Sequence, residues 1–256
     1  MPRARVVLLH GIRTSATMWR NQVLPLAEHD LEVHAVDLPA HGTRIGEPFS
    51  LEATFDAIDE ALNPGGGDAG APDDVPRLLV GLSLGGYLAI EYAARRPDRL
   101  DGLVAASCST RPRGVALKGY QRLAAAISRL PDRGRGLNDT MARWFLPPNA
   151  VEDVIAGGVA LDVMAPAVGA VGELDIEDAL RRVECPVWLV NGRFDHFRIE
   201  ERRMLRAAHD ARLIVIPGAT HLVSLVQPEA FTAAILGAVA ELDRRRAIAR
   251  RGARRT

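Results

Sequence analysis

The most informative stretch of the sequence is Leu78-Leu79-Val80-Gly81-Leu82-Ser83-Leu84-Gly85-Gly86. Three apolar residues lead into a Gly-x-Ser-x-Gly pattern, and the apolar stretch 84–95 follows it. A strand, a tight turn and a helix in this order expose a serine hydroxyl, because the flanking glycines leave room for the turn. The sequence therefore predicts a nucleophile at Ser83. A turn between strand and helix that carries no chemistry is the alternative at this point.

Short apolar runs alternate with longer amphipathic segments on both sides of this turn. The alternation is typical of a mostly parallel sheet that is covered by helices on both faces. We predict an α/β fold with a doubly wound sheet of about six strands, at residues 5–10, 32–37, 77–82, 100–107, 187–191 and 212–216. The helices of this core are predicted at residues 16–29, 51–62, 84–95, 199–209 and 228–246.

Residues 111–178 interrupt the alternation because they contain no convincing strand. They are predicted to form a cap, or lid, of several short helices on a core made of residues 1–110 and 179–246. Residues 247–256 are predicted as a basic tail, either a docking site for an acidic partner or a solvated helix end. The glycine-rich segment 63–72 predicts a flexible surface loop.

The composition is that of an ordinary globular protein. Of the 256 residues 48% are apolar, and 32 basic residues balance 32 acidic ones. This balance predicts that neither nucleic acid nor an anionic membrane is the main partner. No run approaches the ~20 apolar residues of a membrane span, and the apolar run at residues 6–9 is too short for a signal peptide. We therefore expect a cytoplasmic protein; its oligomeric state is not indicated.

A serine hydroxyl is a weak nucleophile, so it needs a base beside it and an acid to orient that base. Among the seven histidines, His221 follows the last predicted strand. The carboxyl ends of parallel strands are where ligands meet such a sheet. Asp195 follows the preceding strand, so both residues are expected at the same edge as Ser83. His196, directly after Asp195, remains a possible pocket residue.

Hydrolysis of an acyl group builds negative charge on oxygen, which backbone N–H groups can stabilise. One such group is expected from Leu84, at the start of the helix after the nucleophile. The other is expected from Ile12, because Gly11 lets the loop after the first strand turn sharply. His10 is then interpreted as structural.

Together these motifs resemble the α/β-hydrolase superfamily, in its small lidded branch, over nearly the whole chain. The resemblance is carried by His10-Gly11 followed by Trp19, segment 37–42 with His41, the Ser83 turn, Asp195, and segment 218–221. It implies a carboxylic ester hydrolase that acts on a small molecule without a metal or an organic cofactor. It also implies that His41 is scaffold and that residues 111–178 form the cap. The family's leading β-hairpin is expected to be missing.

An apolar substrate pocket is suggested by side chains of the cap and of the loops at the sheet edge. The pocket candidates are Trp19, Trp144, Phe145, Met164 and His196. Ordinary packing would explain each of them equally well. The expected substrate is an ester, thioester or lactone of a small, largely apolar compound, which reacts through an acyl-enzyme. Two alternatives stay open: a carbon–carbon bond hydrolase, lyase or cyclase with the same triad, and a ligand receptor or regulator.

Overall fold

Six parallel strands form one sheet in the computed structural model, which describes residues 2–64 and 75–253. The strands are β1 (Ala4–Leu9), β2 (Leu31–Val36), β3 (Arg77–Leu82), β4 (Gly102–Ala106), β5 (Val187–Gly192) and β6 (Ala211–Ile216). They lie in the order β2-β1-β3-β4-β5-β6, and every neighbouring pair is parallel. The predicted sheet is thus confirmed, with strand ends shifted by one or two residues.

Helices cover both faces of this sheet. They are α1 (Arg20–Ala27), α2 (Leu51–Leu62), α3 (Leu84–Arg95), α4 (Gly114–Ser128), α5 (Arg135–Phe145), α6 (Pro148–Ala156), α7 (Met164–Gly172), α8 (Ile176–Arg182), α9 (Glu201–Ala207), α10 (Val223–Val226) and α11 (Pro228–Ala253). The last helix runs past the predicted end at residue 246, because its extra turns are rich in alanine and arginine, which favour helix. The end of the predicted tail and residues 65–72 of the predicted loop lie outside the described residues.

The sheet is buried on both faces, as expected for parallel strands between two layers of helices. Val7, Leu9 and Leu79 belong to one apolar cluster. The alternate residues Val6 and Leu8 belong to the other. This double burial explains the nearly continuous apolar strands in the sequence. None of the helices in the described part of the chain combines the length and the apolarity that a membrane span requires.

Residues between β4 and β5 form the helices α4 to α8. Of these, α6 is fastened to the N-terminal part of the chain through Asp153. Its carboxylate pairs with Arg20, with 3.2 Å between Oδ1 and Nη1, and accepts a hydrogen bond of 3.2 Å from Asn21. The Thr17 hydroxyl also donates to the carbonyl of Asp153. This segment is therefore anchored at α6 by polar contacts with α1 and the turn before it.

Candidate active site

Ser83 lies in the turn between β3 and α3, in a backbone conformation that side chains rarely adopt. Its φ is 55° and its ψ is −113°, and its N–H donates a hydrogen bond of 2.8 Å to the carbonyl of Ala106. A Cβ at Gly81 would collide with the backbone of Gly85, and one at Gly85 would collide with Leu9. Both glycines of the motif are thus required by close backbone contacts.

His221 and Asp195 meet Ser83 at the carboxyl edge of the sheet. The Nε2 atom of His221 lies 3.0 Å from Ser83 Oγ, and its Nδ1 atom lies 3.0 Å from Asp195 Oδ1. Asp195 is held by its own loop, because the N–H of Phe197 donates a hydrogen bond of 2.8 Å to the same Oδ1. The structure brings together the three side chains that the sequence singled out.

The side chain of Asp195 is buried, and its surroundings keep it ionised. Burial acts to raise the pKa of this carboxyl. The hydrogen bond and the charge of His221, with the N–H of Phe197, outweigh burial and hold the pKa of Asp195 below its usual range. An ionised Asp195 favours the tautomer of His221 that carries its proton on Nδ1 and leaves Nε2 free to accept a proton from Ser83.

Two buried histidines hold the loop after β1. The Nε2 atom of His10 accepts a hydrogen bond of 3.0 Å from the N–H of Leu38, so its Nδ1–H is left to donate to the Gly11 carbonyl at 2.7 Å. The Nε2 atom of His41 accepts a hydrogen bond of 3.3 Å from the N–H of Arg13. Burial, followed by the nearby His41, lowers the pKa of His10 to about 3. Both rings are therefore neutral and hold the loop in place through hydrogen bonds to the backbone.

Ile12 and Leu84 lie next to Ser83 on the wall of one cavity. No hydrogen bond from the backbone N–H of either residue is found within the described residues. The two loops that carry them are tied together, because the N–H of Gly85 donates to the His10 carbonyl at 3.1 Å. Two N–H groups at one opening beside a serine hydroxyl could stabilise a negatively charged oxygen.

The cavity beside Ser83 has a volume of about 340 Å³, within the range of small-molecule sites. Its wall is mostly apolar and is shared between the sheet edge, α3, α4, α7 and the loop after Asp195: Ile12, Ser83, Leu84, Tyr87, Thr110, Arg111, Pro112, Leu117, Tyr120, Ala167, Val168, Val171, His196, Phe197 and Ile199. Arg111 is already paired with Glu200, with 2.6 Å between Nε and Oε1. The cavity therefore presents little unneutralised charge to a ligand.

Only one of the five predicted pocket residues lines this cavity. His196 does so, and its ring centroid lies 5.0 Å from that of His221. Trp19 is fully buried and stacks on Phe231 in the core, with 5.9 Å between ring centroids. Trp144 and Phe145 are exposed. The prediction is therefore corrected for these three residues.

Met164 lines a neighbouring cavity rather than the one beside Ser83, so its prediction is corrected as well. The residues that the sequence reasoning missed are on α3, α4 and α7. Tyr87 was predictable, because it lies one helical turn after Ser83 on the helix that the motif begins. The residues of α4 and α7 carry no comparable signal, because their facing depends on how the two helices pack.

The atoms of Asp195, His196 and His221 lie close enough together to hold a metal ion, within 4.8 Å of one another. Both ring nitrogens of His221 are already engaged, one with Ser83 and the other with Asp195. The chemistry of this donor set thus fits proton transfer along a serine, histidine and carboxylate chain better than metal ligation.

The chain is similar in sequence to known hydrolases. Residues 6–234 match a family model described as the alpha/beta hydrolase family. A pimeloyl-[acyl-carrier protein] methyl ester esterase from Neisseria meningitidis is 29% identical, over 91% of this chain and 93% of that protein.

Solved structures share the fold. An esterase from Thermogutta terrifontis superposes with a TM-score of 0.75 at 28% identity, covering 93% of this chain and 90% of the other. A hydrolase of E-2-(acetamidomethylene)succinate superposes with a TM-score of 0.72 at 22% identity, covering 91% and 90% of the two chains. At this identity the second likeness concerns the fold alone.

Proposed function

This chain belongs to the α/β-hydrolase family, and we propose that it hydrolyses a carboxylic ester, thioester or lactone, with Ser83, His221 and Asp195 as its catalytic triad. One observation carries the proposal: these side chains form a hydrogen-bonded chain that opens into a mostly apolar cavity. The relatives that are named esterases support an ester as the substrate.

In this mechanism His221 takes the proton of Ser83 as the serine Oγ attacks the carbonyl carbon. The oxygen of the tetrahedral intermediate becomes negative, and the backbone N–H groups of Ile12 and Leu84 stabilise it. The imidazolium of His221 then gives its proton to the leaving alcohol, which leaves an acyl group on Ser83. Asp195 stabilises that imidazolium because it stays ionised.

Water completes the cycle. His221 is neutral again after the alcohol has left, so it can take a proton from water as the water attacks the acyl-enzyme. The proton returns to Ser83 when the acid product departs. The helices α4 and α7 cover this cavity as a cap, and the predominantly apolar wall favours substrates with apolar acyl groups.

Turnover of p-nitrophenyl acetate and butyrate tests the proposal. Ser83→Ala is expected to abolish turnover while the protein remains folded by circular dichroism. A fluorophosphonate probe should label Ser83 in the folded protein and fail to label it after unfolding. Absence of labelling in the folded protein would contradict the assignment of Ser83 as nucleophile.

The outcomes also separate the alternatives. If Ser83 is labelled but no ester undergoes repeated turnover, hydrolysis is the wrong activity and a ligand receptor that keeps the three residues is favoured. If esters are not cleaved but a carbon–carbon substrate is, the triad acts on a different bond.

A further inference from the structure

A second cavity adjoins the one beside Ser83 and lies between α4 and α7. Its volume is about 640 Å³, and its lining residues are Gln121, Ala124, Ala125, Ser128, Arg133, Leu161, Asp162, Met164, Ala165 and Val168. Val168 borders both cavities. The second cavity is therefore a neighbour of the one beside Ser83, and the two share Val168 as a wall residue.

The lining residues show how the two cavities follow each other along the helices. On α4 the cavity beside Ser83 is lined by Leu117 and Tyr120, and the second cavity by residues up to Ser128. On α7 the order is reversed, with Val171 at the first cavity and Met164 at the second. The two helices thus run antiparallel along one groove. From Leu117 to Ser128 the rise along α4 is about 16 Å.

The helices touch at the catalytic end of this groove. A Cβ added to Gly172 would lie 2.7 Å from a methyl carbon of Leu117, so the glycine allows close packing there. Farther along, small side chains leave the space open, among them Ala124, which is 7% exposed. The two helices are therefore in close contact near Leu117, and the larger of the two cavities lies farther from Ser83.

The chemistry of the groove suits a hydrocarbon chain. Ala124 and Val168 are apolar and buried. The charges at the outer end cancel, because Arg133 pairs with Asp162 at 2.6 Å between Nη1 and Oδ2. Polar side chains such as Gln121 and Ser128 are exposed to solvent. An alkyl chain could lie on the apolar floor while its far end reaches the polar rim.

We propose that the groove between α4 and α7 binds the distal part of a long, unbranched acyl chain whose carbonyl carbon lies at Ser83. This proposal rests on the proposed ester hydrolysis and names its substrate class. Short acyl groups fit within the first cavity, and longer ones pass Val168 into the second. Small residues at positions 124 and 165 leave room for that longer chain.

Two matched variants test the chain-length preference. Ala165→Phe fills the rim of the second cavity at a residue that is exposed, so the fold should tolerate it. Ala126→Phe makes the same change at an exposed residue of α4 outside both cavities. We expect Ala165→Phe to lower kcat/KM for p-nitrophenyl dodecanoate about tenfold or more and to leave p-nitrophenyl acetate unchanged. Ala126→Phe should change neither rate.

A binding measurement keeps this proposal separate from the proposed activity. Dodecanoic acid is titrated into Ser83→Ala protein, with and without Ala165→Phe, and followed by calorimetry. Weaker binding in the double variant supports the groove even if no ester is hydrolysed, in which case only the proposed function fails. Equal binding and equal chain-length profiles for Ala165→Phe and Ala126→Phe would overturn the proposal. Ala124→Phe, at the floor of the same cavity, should reproduce the effect.

Discussion

The edge of the sheet and helix α5 are held in place in different ways. At the edge, Ser83, Asp195 and His221 are joined by hydrogen bonds of 3.0 Å, and His10 is fully buried among backbone partners. On α5, Met141 is 50% exposed and Trp144 is 79% exposed. Backbone geometry fixes the first region, whereas the second depends on helix faces that no neighbour within the described chain covers.

The two regions differ in how precisely their side chains must be placed. A proton transfer requires atoms within hydrogen-bond reach, so its groups stand on turns whose backbone is held by other backbone groups. An apolar wall requires only volume and apolarity, so its residues can vary without loss of the chemistry. Substitutions in the two regions should therefore differ in what they change as well as in how much.

The largest effect is expected at the edge of the sheet. His221→Ala removes the proposed base and should lower kcat for p-nitrophenyl butyrate by about 10⁴-fold or more. It should also lower the free energy of unfolding by about 1–3 kcal/mol, because the buried carboxylate of Asp195 loses the hydrogen bond from His221. The matched variant His209→Ala alters an exposed histidine and should keep full activity. Steady-state rates and urea unfolding check both. If His221→Ala retained a tenth of the rate, His221 would not be the base, and the edge of the sheet would not be more sensitive to substitution than α5.

Low pH should lower the free energy of unfolding through His10, which lies at the edge of the sheet. The pKa of this ring is about 3 in the folded protein, far below the usual ~6.5, so between these values the unfolded chain binds the proton that the folded one does not. The free energy of unfolding should thus fall as pH drops, by up to about 1.4 kcal/mol per pH unit from this residue.

The variant His10→Gln lacks this proton and should show a shallower fall. Urea unfolding at a series of pH values between the two pKa values measures the slopes. Identical slopes in the parent and in His10→Gln would show that the ring is not held neutral by burial.

A smaller effect is expected where α6 meets α1. Asp153→Ala removes a largely buried carboxylate that accepts from Arg20 and Asn21, so it should reduce the free energy of unfolding by about 1–2 kcal/mol. Asp178→Ala breaks an exposed pair with Arg182 and should cost less, about 0.5 kcal/mol. Denaturant titration of both variants tests whether α6 anchors the helical segment between β4 and β5.

The smallest effect is expected on α5. Trp144→Ser replaces an exposed side chain that lines neither of the two cavities, so stability should change by no more than about 0.5 kcal/mol, and kcat/KM should stay the same. A marked loss of activity in this variant would show that α5 contacts the substrate during turnover. In that case α5 would belong with the region that takes part in the reaction.

The same contrast explains how much the sequence could predict. The glycines around Ser83 allow the close backbone contacts of the turn. Because the turn depends on these glycines, their spacing around the serine could be recognised in the sequence alone. His221 and Asp195 follow strands of one parallel sheet, so their shared edge followed from strand order. The six strands were predicted because burial on both faces makes them continuously apolar.

The residues that line the cavity beside Ser83 could not be predicted from the sequence in this way. Trp19 and Trp144 are both large and aromatic, yet one stacks in the core and the other faces solvent. A short helix with apolar residues on more than one face can turn any of these faces to the core. The type of residue alone therefore does not show which side chains are buried. Tyr120 and Val168 line the cavity through the packing of α4 against α7, which is a long-range property of the fold.

The turn at Ser83 also determines which substitutions would stabilise the protein at this position. A positive φ on a residue with a Cβ costs about 1–3 kcal/mol, and Ser83 has a φ of 55°. Ser83→Gly would relieve that strain, so this variant should unfold at a higher temperature than the parent protein. The proposed nucleophile thus lies at a position where glycine should be the more stable residue, which is the trade-off between activity and stability that is expected at a reactive site.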